Sequence, residues 1–165
     1  MSIVRTWGFL GLILATLAMA PMGTAGADEV ILTVRQVDAK GAVVKSTDFT
    51  MAQIEALGLR TVTTSTPWTR GATVFDGVPL AEVIGDPRSL TDINVIALND
   101  YAAAVPVDDV ARYDVLLATR MAGKAMPVRD KGPLWIIYPL DARPEINNQR
   151  FHARMVWQIR TIEVR

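Results

Sequence analysis

The residues best suited to chemistry stand in short loops rather than in one continuous motif. Asn99, Asp100 and Tyr101 set an amide, a carboxylate and a phenol in a row. Trp68 and Arg70 bring an indole and a guanidinium, and Lys131 an ammonium. Loops at strand ends are where binding residues concentrate. Taken singly, each reads as ordinary structure: Trp68 as a core aromatic, Asp76-Gly77 as a turn, Lys131-Gly132-Pro133 as a solvated turn. The common catalytic patterns are missing. There is no G-x-S-x-G, no phosphate-binding G-x-x-x-x-G-K and no H-E-x-x-H. The chain has no cysteine, hence no thiolate nucleophile, thiolate ligand or disulfide. His152 is the sole histidine, which excludes a His-rich metal site, and no serine sits on a nucleophile elbow to pair with it. It reads as a surface or hydrogen-bonded structural residue. No catalytic residue and no metal ligand is assigned.

Short elements must position these loops. Val30 to Val37 alternates as a strand, Asp38 to Gly41 turns, and Ala42 to Lys45 returns as a hairpin. Thr50 and Gln53 form a capping-box pattern, predicting a helix over Thr50 to Leu57 that stops at Gly58. Leu59 to Thr66 is rich in β-branched residues and predicts a strand. A short strand over Ala72 to Phe75 is followed by the expected Asp76-Gly77 turn. Pro79 opens a helix through Ile84. Strands are expected at Ile93 to Leu98, Asp114 to Thr119, Leu134 to Tyr138 and within Met155 to Val164, with a helical turn at Val107 to Tyr113. Arg143 to Arg150 is expected to be polar and exposed. Many short strands with a few short helices predict an α+β domain with a mixed, mainly antiparallel sheet.

The bulk numbers narrow the function classes. The 17 basic and 17 acidic residues balance, so nothing attracts nucleic acid or an anionic membrane surface. Residues 1–27 are expected to be a secretory signal peptide, with Arg5 as the single charge, an apolar stretch from Trp7 to Ala20, and Ala25-Gly26-Ala27 before the cleavage point. Residues 28–165 are then expected to form one exported domain, in the periplasm.

The loops follow one another in a characteristic order: "FDGVPLAEVI", "VIALNDYAAAVPVDDV", "DVLLATRMAGKAMPVRDKGPLWIIYP", "WQIRTIEV". In that order they resemble the oxidoreductase molybdopterin-binding domain, the sulfite oxidase fold. The resemblance covers the chain from about Val30 to its end, with Trp157 standing for a tryptophan near the last strand. It implies that Tyr101 lies at a cofactor. In the catalytic family a cysteine thiolate after the strand at Leu59 to Thr66 ligates molybdenum. This chain has Thr63-Thr64-Ser65-Thr66-Pro67 there, and a hydroxyl does not replace a soft thiolate.

The resemblance therefore implies a pterin or molybdopterin-like heterocycle, with molybdenum not expected. Trp68 or Tyr101 would stack on its face. Asn99 and Asp100 would read its aminopyrimidinone edge, and Arg70 or Lys131 would meet an anionic tail. The expected function is a periplasmic, non-catalytic, pterin-binding protein acting through a membrane signalling partner. The alternative is a molybdenum cofactor-dependent oxidoreductase, or a subunit of one.

Overall fold

The computed structural model describes residues 29–165, so the expected signal peptide at 1–27 lies outside the described residues. Strand β1 (Val30–Val37) alternates buried Leu32 and Val34 with outward Thr33 and Arg35. It pairs with β2 (Val43–Thr50), which runs beyond the Lys45 expected from sequence, because Ser46 to Phe49 continue the ladder against Leu32 to Arg35. Thr50 then caps α1 (Met51–Glu55): its side chain accepts from the Gln53 N–H while the Gln53 side chain accepts from the Thr50 N–H.

Strand β3 (Arg60–Thr64) ends earlier than expected. Ser65 is drawn away by Asp141, whose carboxylate accepts from its N–H at 2.7 Å. Strand β4 (Thr73–Pro79) runs straight through Asp76-Gly77, correcting the expected turn. The cause is a close approach to β7 (Leu116–Met121): a Cβ on Gly77 would lie 2.2 Å from the Leu117 carbonyl oxygen. The ladder shifts register there, absorbing the tight contact as a bulge. Helix α2 (Leu80–Ile84) follows Pro79 as expected.

Strand β5 (Ile93–Ala97) and β6 (Ala102–Ala104) form the hairpin that holds Asn99-Asp100-Tyr101. The Asp100 N–H donates to Ala97 O, the Ala97 N–H to Tyr101 O, and Asp100 takes a positive φ of 64°. Asn and Asp tolerate that region better than most residues, so the polar triplet is first of all a tight turn. The remaining elements are α3 (Val107–Arg112), β8 (Lys124–Ala125), β9 (Trp135–Ile137), α4 (Gln149–His152) and β10 (Ile159–Val164).

The strands form two sheets, one ordered β2-β1-β10-β5-β6 and the other β3-β4-β7-β8 with β9 also on β7. Only β1 and β10 run parallel, which makes the first sheet mixed, while the second is antiparallel. Leu32, Val95 and Ile162 from the first sheet share one core with Phe75, Leu117, Trp135 and Ile136 from the second. Each such side chain stabilises the fold by about 1.5–3 kcal/mol relative to exposure. No helix among the described residues is long and apolar enough to cross a membrane.

Candidate functional site

A cavity of about 410 Å³ opens where the loop after β3, the β5–β6 turn and the stretch from α4 to β10 meet. Its wall consists of Trp68, Ala97, Asn99, Tyr101, Gln149, His152, Ala153, Met155, Val156 and Trp157. Two wider grooves, of about 680 and 760 Å³, have no aromatic residue in their walls. An aromatic, concave wall with a few polar groups is what a small planar ligand requires.

Trp68 is held from below. Thr66, itself buried, accepts from the Trp68 N–H through Oγ1 at 3.2 Å, and Thr66 is tied in turn to Thr69. The indole meets Trp157 edge-on at 5.0 Å and 78°, and Trp135 at 6.0 Å and 61°. Trp135 is fully buried and donates from Nε1 to Met155 O at 3.0 Å, so the aromatic floor is fixed to the far wall. Edge-to-face pairs of this kind add about 0.5–1.5 kcal/mol beyond area burial. Trp68 and Tyr101 nonetheless keep large exposed surfaces, 39% and 49%, which leaves area for a ligand to cover.

The opposite rim is closed by Tyr101, whose hydroxyl donates to Ala153 O at 3.1 Å. Asn99 Oδ1 accepts from the Tyr101 N–H, which orients the turn. The far wall is anchored through Arg154, between the wall residues Ala153 and Met155. Its Nη1 donates to Asp109 at 2.6 Å, and Tyr138 donates to the same carboxylate oxygen at 2.8 Å. Arg154 also stacks on Phe151 at 4.9 Å. Burial, reinforced by the Asp109 charge, pushes the Tyr138 phenol far above its ordinary range, so it stays a donor.

Sequence reasoning placed Trp68, Asn99 and Tyr101 in one site, and all of them line the cavity. Asp100, Arg70 and Lys131 are not in its wall. Asp100 points outward to an ion pair with Arg160, since its left-handed backbone turns the side chain away from its neighbours. Lys131 pairs with Asp130 at 2.8 Å and lies over the buried Trp135 ring at 5.7 Å. Arg70 is exposed just after the Trp68 loop.

Gln149 and His152 were missed. The Arg143 to Arg150 stretch is exposed as expected except for Ile146, which is buried, and α4 begins within it at Gln149. The signal was present: Asn148 precedes Gln149-Arg150-Phe151 as a side-chain cap, accepting from the Arg150 N–H.

The hydroxyl-rich segment after β3 does not offer the soft donor that a thiolate-held metal uses. Thr64 Oγ1 accepts from the Asp141 N–H, Ser65 Oγ donates to Asp141, and Thr66 Oγ1 is engaged with Thr69 and Trp68. No cluster of His, Cys, Asp and Glu that would hold a metal ion exists among the described residues. The cavity wall does fit the planar end of a pterin, with indole and phenol rings for its face and Asn99, Gln149 and His152 for its edge.

No curated protein matches the chain. Among solved structures it is similar to the sulfane dehydrogenase SoxCD from Paracoccus pantotrophus, with a TM-score of 0.56 and 15% identity. That match covers 81% of this chain but only 37% of the SoxCD chain, and at that identity it speaks for the fold alone. Residues 28–141 match the oxidoreductase molybdopterin binding domain. With the sulfite oxidase-like fold on one side and this match over most of its length on the other, the chain belongs to the oxidoreductase molybdopterin binding domain family.

Proposed function

We propose that this member of the family is a binding protein for a pterin-type heterocycle, held in the Trp68–Tyr101–Trp157 cavity without a protein thiolate to a metal. The observation that carries this reading is the exchange at the end of β3. Where catalytic relatives place a soft ligand, this chain has the Thr64, Ser65 and Thr66 hydroxyls, each used in internal hydrogen bonds, followed by an indole facing a cavity. The site is built to stack and read a ring rather than to complete a metal's coordination.

The experiment is mass spectrometry of small molecules released from the purified protein, with molybdenum quantified on the same sample. A released pterin with far less than one molybdenum per chain supports the reading. Close to one molybdenum per chain contradicts it and favours the molybdenum cofactor-dependent oxidoreductase, or a subunit of one.

The export pattern in residues 1–27 supports a periplasmic location. On this proposal the ligand-bound chain acts on a membrane signalling protein. Cell fractionation and cross-linking in intact cells test both; a cytoplasmic chain without membrane-protein adducts refutes them.

A further inference from the structure

The wall from Gln149 to Trp157 lies beyond residue 141, where the family match ends. His152 stands on it, and its Nε2 is 2.9 Å from Asn147 Oδ1. An amide oxygen only accepts, so Nε2 carries the hydrogen, and in neutral imidazole the acceptor is then Nδ1. Nδ1 has no hydrogen bond among the described residues. No buried side-chain nitrogen or oxygen there lacks a partner either, so Nδ1 is open to solvent. The ring is held by the Asn147 bond and by Trp68, which meets the imidazole edge-on at 6.3 Å, while the backbone N–H of His152 donates to Asn148 O at 3.0 Å and keeps the residue in α4. No Lys, Arg, Asp or Glu shares the wall with it.

We propose that His152 sets ligand specificity by accepting, through Nδ1, a hydrogen bond from an N–H on the ligand's edge, and that Asn147 is the positioning residue that fixes this tautomer. The inference rests on the heterocycle-binding reading and deepens it. The ligand class it selects is a planar heterocycle with a ring N–H or an amino group. An aminopyrimidinone has both; a ring of the same shape with methylated nitrogens has neither.

Two measurements on the purified protein test it. The first is nitrogen-detected NMR of the neutral imidazole, expected to show hydrogen on Nε2; hydrogen on Nδ1 overturns the proposal whatever the ligand does. The second is a calorimetric comparison of 6-hydroxymethylpterin with 1,3-dimethyllumazine. His152→Phe keeps a ring against Trp68 and removes both nitrogens. It is expected to weaken the pterin about tenfold, the scale of one lost hydrogen bond, and to leave dimethyllumazine unchanged. Asn147→Leu is expected to weaken the pterin alone and to broaden the tautomer signature. Equal losses for both ligands, or none, overturn the role of His152 while leaving heterocycle binding intact. Failure of the wild-type chain to bind the pterin overturns the heterocycle reading and this inference with it.

Discussion

Replacing Asp109 with alanine removes a side chain that is 9% exposed and whose carboxylate serves two donors, the Arg154 guanidinium at 2.6 Å and the Tyr138 hydroxyl at 2.8 Å. Arg154 is itself 11% exposed in its side chain, so the change leaves a cation with little access to water. Breaking a buried pair from one side costs about 3–5 kcal/mol, most of it the stranded charge. Against a total stability of about 5–15 kcal/mol for an ordinary domain this is a large fraction. It corresponds to a fall in melting temperature of about 10–20 °C. The double variant Asp109→Leu with Arg154→Met removes both charges and is expected to cost clearly less than Asp109→Ala alone. Urea unfolding followed by tryptophan fluorescence, beside calorimetric melting, reads both values. A loss below about 1 kcal/mol for Asp109→Ala would refute the reasoning, because the pair would then behave as a solvated surface bridge. So would a double variant as unstable as the sum of its parts.

Three further outcomes follow from the same geometry. Gly77→Ala forces a Cβ to within 2.2 Å of the Leu117 carbonyl oxygen, so it should cost at least about 1–3 kcal/mol; an unchanged melting temperature would show that β4 and β7 separate freely. Tyr101→Phe removes the hydrogen bond to Ala153 O and should cost no more than about 1 kcal/mol of stability, since the residue is half exposed, yet it should speed ligand release by loosening the rim. Arg120 holds the Glu55 carboxyl below the usual carboxylate range, by hydrogen bonds first, with Thr119 adding to the effect. Its contribution is therefore present above the ordinary glutamate range and lost as pH falls through the lowered folded value. Glu55→Gln should cost under about 1 kcal/mol near neutrality, and its difference from wild type in urea titrations should vanish in acid; a difference that grows in acid contradicts this sign.

Much of the fold was legible because its signals are local. The Thr50–Gln53 capping box, the Pro79 helix start and the alternation of Val30 to Val37 each act over a few residues, and each is found where it was read. Asp76-Gly77 misled because a glycine required by close contact between β4 and β7 has the same spelling as a turn glycine, and only the partner strand tells them apart. The candidate site was legible by half for a similar reason. Trp68, Asn99 and Tyr101 sit on loops whose order the family resemblance exposes. Gln149 and His152 line the cavity from an otherwise exposed segment that is pinned to the core by Ile146 and Phe151. Asp100 was misplaced by reading a composition where a conformation mattered: its positive φ sends the carboxylate to Arg160, outside the cavity.

The claim that Trp68 presents its face to a pterin-type ring is tested most directly by calorimetric titration of the wild-type chain and Trp68→Ala with 6-hydroxymethylpterin, beside their melting curves. A stacking wall requires saturable one-site binding to the wild type. It also requires a loss in Trp68→Ala of about 1–3 kcal/mol, roughly ten- to a hundred-fold in affinity, from a variant that still melts cooperatively. Equal affinity in the two proteins, or no binding to the wild type at ligand concentrations where a small aromatic pocket saturates, would contradict it.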